Sequence, residues 1–381
     1  MNNTSSGVSI PFVDLYAQYL SIKGEIDAAI AAVITSSSFI RGPFVEEFEQ
    51  DFAKAVGAPH CVSCANGTDA LYIAMKALRV RAGDEVIVPA MSWISTSETV
   101  TQSGATVVFC DIDPLTYTID ATKLESVITS RTVGIIPVHL YGQPADMGAV
   151  IDVAERHALW VIEDCAQAHL AEFRGRQVGG FGVAATFSFY PGKNLGAMGD
   201  AGAIITADRA LAERMAMFAR HGGLVKGEHR IEGVNSRLDG LQAAILSVKL
   251  RYLPAWTKRR DEIARRYSER LANISGIVVP RVAEERKHVW HLYVICHDQR
   301  DALAAHLKEQ GIQTQLNYPR ALPFLPCYRR LEAQVEDFPG ADALQRRCLS
   351  LPMFAELAER QIEAVSAAVS SFAPSAAQRA C

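Results

Sequence analysis

Apolar positions along this chain follow two rhythms. From about Phe44 to Ile205, short apolar runs alternate with amphipathic stretches, the pattern of a mainly parallel sheet covered by helices. The runs predict strands over His60–Cys64, Glu85–Pro89, Thr106–Cys110, Val133–Val138, Leu159–Glu163, Ala184–Phe189 and Ala203–Thr206. Between them, helical spacing predicts a helix over Ala70–Leu78 after Thr68-Asp69, and another over Ala121–Ser130 after the capping residue Asp120.

Further on, Arg237–Arg251 is rich in Leu, Ala and Ile at a period near that of a helix and leads through Pro254 into a long charged helix, Trp256–Asn273. The expected domain boundary lies there. Residues 1–253 would form an N-terminal segment and a large cofactor-binding domain. Residues 254–381 would form a small α+β domain, with a strand over Val289–Cys296 and helices over Asp301–Gln310, ending at Gly311, and Gln361–Phe372. The expected fold class is α/β: a mainly parallel seven-stranded sheet flanked by helices, with a smaller C-terminal α+β domain.

At 381 residues and 49% hydrophobic content, the chain can support a large globular body. Its formal net charge of −4, with Lys and Arg scattered, gives no long-range attraction for nucleic acid or an anionic membrane. No apolar run is long enough to span a bilayer, and residues 1–7 lack a basic region followed by a hydrophobic one. The reading is a cytoplasmic protein. Its eight cysteines lack the spacing of a disulfide framework and read as reduced thiols. Cys61 and Cys64 have redox spacing but lie within a strand, which suits buried structural thiols, and Cys381 is expected on a frayed tail.

Ligands of open α/β sheets sit beyond the carboxyl ends of the strands, so the residues following each strand should converge. Asn66-Gly67-Thr68 enters a helix N-terminus, where free N–H groups and the dipole favour a phosphate, although an ordinary cap would use the same residues. Ser188 could add a hydroxyl. Trp93 could stack on a flat ring or simply pack. Asp164 ends an apolar strand and needs a partner, either a pyridinium nitrogen or an arginine or backbone cap. Gln167 could meet a ring hydroxyl.

Lys193 lies among Gly192, Gly196 and Gly199 just past an apolar strand, and a lysine so held can lose enough water to become an amine nucleophile for Schiff-base chemistry. With an acid to keep a pyridine nitrogen protonated, it points to pyridoxal phosphate. Two competing motifs fail. Gly180-Phe181-Gly182-Val183-Ala184-Ala185 resembles a dinucleotide fingerprint but precedes a strand, and Pro191-Gly192-Lys193-Asn194 lacks the rest of a P-loop. His139, His169, His221 and His291 show no metal-ligand spacing, and no metal is expected.

Five segments, in order, resemble the DegT/StrS family of sugar aminotransferases, over nearly the whole chain. They are Ala65-Asn66-Gly67-Thr68-Asp69-Ala70-Leu71, Pro137-Val138-His139-Leu140-Tyr141-Gly142-Gln143, Glu163-Asp164-Cys165-Ala166-Gln167-Ala168-His169, Ser188-Phe189-Tyr190-Pro191-Gly192-Lys193-Asn194-Leu195-Gly196 and Asn235-Ser236-Arg237-Leu238-Asp239. The resemblance implies the aspartate aminotransferase fold and pyridoxal phosphate in Schiff-base linkage to Lys193. It makes Asp164 the partner of the pyridine nitrogen, Gln167 the neighbour of the ring hydroxyl, Trp93 the stacking residue, and Gly67, Thr68 and Ser188 the phosphate contacts. Asn235 matches a residue that reaches the phosphate from the other subunit of a homodimer with shared sites. Arg237 matches a position near the donor carboxylates, and Tyr190 and Tyr318 match contacts to a sugar nucleotide. Asn317 departs from the family pattern, in which a histidine usually precedes Tyr-Pro.

The implied reaction moves the amino group of L-glutamate, which leaves as 2-oxoglutarate, to a keto group of a nucleotide-linked hexose. The segments from His221 and from Asn235 resemble members acting on dTDP-linked 3-keto-6-deoxyhexoses; a 4-keto sugar, or UDP or GDP as carrier, is the alternative. A sugar dehydratase and a non-catalytic sensor are the competing functions. Lys193 argues against the first, because such lyases carry histidine there, and the filled catalytic positions argue against the second.

Overall fold

The computed structural model describes residues 9–372; Cys381 lies outside them. Its main sheet is built from β1 (His60–Cys64), β2 (Glu85–Pro89), β3 (Thr106–Cys110), β4 (Thr132–Ile135), β5 (Trp160–Asp164), β8 (Ala184–Ser188) and β9 (Gly202–Thr206), with β6 (Glu172–Phe173) and β7 (Arg176–Gln177) forming a small hairpin between β5 and β8. The order is β1-β9-β8-β5-β4-β2-β3. Strands β8, β5, β4, β2 and β3 pair in parallel, and β9 runs antiparallel to both β8 and β1. The expected mainly parallel seven-stranded sheet is therefore present.

Alternation along the strands feeds two cores. Val86 and Val88 of β2 point into one and Ile87 into the other, so both faces are covered and the strand reads as an unbroken apolar run. A third core joins Ile263 and Tyr267 to β11 (Tyr293–Cys296) and β12 (Cys348–Leu351), an antiparallel pair; β10 (Arg286–Lys287) pairs with β6.

Four local expectations change. Strand β4 ends at Ile135 rather than at Val138. The stretch after Asp120 forms a 3-10 turn, Ala121–Lys123, and one helical turn, Leu124–Val127, because Ile128 is already extended. Strand β11 starts at Tyr293 rather than at Val289. Gly240–Leu271 is a single helix running through Pro254, with Leu253 and Trp256 buried on either side of it. Proline removes one helical hydrogen bond, and burial outweighs that loss here. The helix serves three cores, through Leu246 and Leu253 in one, Ile263 and Leu271 in another, and Ile245, Val248 and Trp256 with Ile22 and Ile26 in a third, so position 253/254 falls within it.

Candidate active site

The carboxyl ends of the parallel strands do converge. The helix Gly67–Ala77 begins directly after β1, with Asn66 as its cap; the Asn66 side chain accepts from the Asp69 amide at 2.8 Å. A Cβ added to Gly67 would stand 2.6 Å from that of Ser188, so glycine is what lets the start of this helix meet the end of β8. The result is a pocket of exposed N–H ends beside a hydroxyl, in the form that suits a phosphate.

From this cradle a line of polar contacts crosses the site. The Thr68 and Ser95 hydroxyls lie 2.7 Å apart, and Thr96, next along the helix Ser95–Gln102, donates its hydroxyl to Asp164 Oδ2 at 2.9 Å. Asp164 Oδ1 accepts from the Ala166 amide at 3.1 Å. This carboxyl is buried at the tip of β5, and burial pushes it above the usual carboxylate range, while the amide, the hydroxyl and the Lys193 charge pull it back. A hydroxyl and an amide, rather than an arginine, are its partners. Ser95 and Thr96 were not picked out from sequence, although the Ser-rich stretch Ser95-Thr96-Ser97 right after Trp93 was the available signal.

Lys193 follows β8 in a tight loop. Its N–H donates to the Tyr190 carbonyl at 2.8 Å, and the Ala197 amide returns to the Phe189 carbonyl at 2.7 Å. Gly196 has its Cα pressed against the Pro191 carbonyl, where a Cβ would collide. The Lys193 side chain is half-buried, and loss of water pulls its amine down to about 8, with Asp164 opposing. His169 is fully buried among Phe52, Phe187 and Phe189, and burial pulls its imidazole down to about 3, so it stays neutral.

Gln167 is buried and fixed at both ends: its Oε1 accepts from the Tyr141 amide at 2.7 Å and its Nε2 donates to the Tyr318 hydroxyl at 2.9 Å. Tyr318 in turn lies 5.7 Å, ring centre to ring centre, from Trp93, whose indole is 57% exposed and so has a face open to a ligand rather than a place in the core. Asn317 is half-buried, and its Oδ1 accepts from Ser350 at 2.8 Å. Tyr190 and Asn235 are exposed and Arg237 is half-buried. Ser236, between the last two, accepts from the Ala65 amide at 3.0 Å, which lays their segment alongside the cradle.

Glu163, adjacent to Asp164, has a different environment. Its carboxylate accepts from the backbone amides of Gly179, Phe181 and Gly182 at 2.7, 2.6 and 2.8 Å. The glycine motif that resembles a dinucleotide fingerprint thus cradles a protein carboxylate. His139 Nδ1 accepts from the Ala145 amide, leaving Nε2 to donate to Glu163 at 3.2 Å. Possible ligand atoms of His139, Glu163 and Cys165 lie within 4.8 Å of one another, a grouping the spacing did not suggest; the bonds already made to Glu163 and His139 give it a structural role. Cys64 is buried and Cys61 half-buried, and burial pushes both thiols up.

A buried acid without a cationic clamp, a water-poor lysine and an anion cradle, all at the strand ends of this sheet, fit pyridoxal phosphate and define an enzyme of the aspartate aminotransferase fold. The chain belongs to the DegT/DnrJ/EryC1/StrS aminotransferase family, whose pattern matches residues 20–370, and is a pyridoxal phosphate-dependent transaminase. It is 45% identical over 367 residues to a protein of Geobacillus stearothermophilus named a pleiotropic regulatory protein (96% of this chain, 99% of that one). It is 44% identical to the dTDP-3-amino-3,6-dideoxy-α-D-galactopyranose transaminase of Aneurinibacillus thermoaerophilus (95% and 99%), and 41% identical to the UDP-2-acetamido-2-deoxy-3-oxo-D-glucuronate aminotransferase of Pseudomonas aeruginosa (95% and 100%). Among solved structures, Streptomyces venezuelae DesV in complex with a ketimine intermediate superposes with a TM-score of 0.93 at 42% identity, covering 95% of this chain and 98% of DesV. Bacillus subtilis NtdA with bound cofactor PMP gives 0.88 at 31%, covering 97% and 86%. No described helix is long and apolar enough to cross a membrane.

Proposed function

We propose that this chain moves an amino group from L-glutamate to the keto group of a nucleotide-linked hexose, with a dTDP-linked 3-keto-6-deoxy sugar as the first choice and a UDP-linked sugar as the second. The observation that carries the reading is the placement of Lys193, just past β8, beside the buried Asp164 at the tip of the adjacent β5, where each charge acts on the other. The names of the Aneurinibacillus and Pseudomonas relatives support the substrate class and both carriers.

The bound cofactor would supply an electron sink for cleaving a bond at the donor's α-carbon; the chain's residues bind, orient and move protons. Gly67, Thr68 and Ser188 would hold the phosphate, Asp164 would keep the ring nitrogen protonated, and Gln167 and Trp93 would hold the ring at its hydroxyl and its face. Lys193 would bind the cofactor, and its free amine would move the proton at the donor's α-carbon. Arg237 pairs with a donor carboxylate, and Tyr190, Asn317 and Tyr318 contact the sugar nucleotide. Asn235, exposed in one chain, would reach the cradle of a partner subunit, making the working unit a homodimer. The large domain would comprise residues 1–253 and the small one 254–381, and the enzyme would work in the cytoplasm on soluble substrates.

The test supplies purified protein with pyridoxal phosphate, L-glutamate and a panel of dTDP-, UDP- and GDP-linked 3-keto and 4-keto sugars. The expected result is formation of 2-oxoglutarate and an amino sugar with a dTDP- or UDP-linked member, and a borohydride-fixed adduct at Lys193. The name of the Geobacillus relative points instead to a regulatory role. Bound cofactor with no turnover on any keto sugar would favour that role and overturn the proposal.

A further inference from the structure

One face of the helix Gly240–Leu271 backs the loop that carries Lys193. Gln242 Oε1 accepts from the Met198 amide at 2.8 Å, and the Gln242 amide group would lie 3.0 Å from a Cβ on Gly199. Two turns further along, Lys249 is buried and donates from Nζ to the Gly196 carbonyl at 2.8 Å. Three turns beyond that, buried Arg260 donates to the carbonyls of Trp290 at 3.0 Å, His291 at 3.4 Å and Met353 at 3.1 Å. These spacings put all three side chains on one stripe.

The segment gripped by Arg260 closes the loop's other flank. Asn194, next to Lys193, donates from Nδ2 to the Val289 carbonyl at 2.8 Å, and its Oδ1 lies 3.3 Å from His291 Nδ1. Two points just downstream of Lys193 are therefore held, Asn194 by Val289 and His291 and Gly196 by Lys249. Burying an ammonium is costly, and burial does pull the Lys249 amine down to about 8, with Glu356 opposing from a distance. A buried charge that bonds a loop carbonyl rather than a carboxylate calls for a role beyond stability, since an apolar side chain of that length would pack there at no such cost.

We propose that Lys249 is a positioning residue for Lys193: its bond to the Gly196 carbonyl sets the loop so that the Lys193 amine points at the cofactor and returns to the same place each time it is displaced. This rests on the assignment of Lys193 as the cofactor lysine.

The experiment compares Lys249→Met, Lys249→Arg and Gln242→Ala with the parent holoenzyme. It measures kcat and KM for both substrates, the pH midpoint of the cofactor's visible absorbance, and hydrogen exchange over residues 189–199 in the apoprotein. Lys249→Met should lower kcat about a hundredfold, on the scale of a reacting group displaced by about an ångström, with KM little changed, a shifted midpoint and faster exchange. Lys249→Arg should restore most of both kcat and midpoint, and Gln242→Ala should show the same pattern more weakly. Parental kcat and midpoint in Lys249→Met overturn the proposal, as does an arginine variant as impaired as the methionine one. If the methionine variant does not fold, the other two decide: parental values in Gln242→Ala, or no function in a folded Lys249→Arg, overturn it. A parent without a borohydride adduct at Lys193 defeats the assignment of the site; an adduct there with an unaffected Lys249→Met defeats only the positioning role.

Discussion

Gly67 and Ser188, remote in sequence, meet so closely that a methyl group on the first would stand 2.6 Å from the Cβ of the second. Neither can move freely, since Gly67 opens a helix and Ser188 ends a strand. Gly67→Ala should therefore force the cradle open. Its φ is not in the left-handed region, and alanine favours helix interiors over glycine by about 1 kcal/mol, which offsets only part of the clash, so the apoprotein should still fold but melt at a lower temperature than the parent. Cofactor affinity should drop at least about tenfold, a loss of about 1.4 kcal/mol, measured by titrating apoprotein with pyridoxal phosphate. Unchanged affinity would remove these two residues from the phosphate site.

Asp164 offers a test in which stability and function move apart. Burial raises its carboxyl above the ordinary value of 3.8, so between that value and the raised one the folded apoprotein binds more protons than the unfolded chain. Stability contributed by this group is full below the ordinary value and is lost as pH rises through the folded one. Asp164→Asn should abolish this loss, leaving the apoprotein at least as stable as the parent at pH 8, by thermal melts at pH 5 and 8. Its kcat should fall about a hundredfold or more, the scale of losing one preorganised electrostatic partner. A variant destabilised at pH 8 but fully active would contradict both roles.

Lys193 titrates in the opposite sense. Burial lowers its amine from 10.5 to about 8, so the neutral nucleophile is half-formed near pH 8. The rate of cofactor capture by apoprotein should rise with pH and level off above that point. Between about 8 and 10.5 the unfolded chain binds more protons, so this group's penalty on stability fades as pH rises. Stopped-flow absorbance across pH 6 to 11 checks the midpoint, and a value near 10 would mean that the loop leaves the amine in water. Lys193→Ala should show no borohydride adduct.

Arg237 and Asn317 should separate the two halves of the reaction. Arg237→Gln should raise KM for L-glutamate by about tenfold or more, the value of a charge-assisted pair, and leave KM for the keto sugar alone. Asn317→Ala, which also releases Ser350, should do the reverse. Single-turnover measurements of each half-reaction will tell, and equal effects on both halves would count against the assignments.

The strands were legible because each is a short apolar run ended by a polar or turn-forming residue, and β1, β2 and β3 have the expected limits. The long helix was read with a boundary at Pro254, since proline is a local signal, whereas burial of Leu253 and Trp256 is a tertiary one. Lys193, Asp164 and the Gly67 turn announce themselves through their neighbours in sequence. Thr96, Ser95 and Lys249 do not: each matters through a bond to a residue tens of positions away, and no local spacing encodes such a bond.

The two adjacent acids at the tip of β5 divide their work by the alternation of a strand. Because Glu163 is anchored by three amides and an imidazole on one side, the peptide carrying Asp164 has no slack. A carboxylate on so stiff a mount, itself held by the Thr96 hydroxyl and the Ala166 amide, cannot swing away to find water, so any cation brought to the tip of β5 would relieve it.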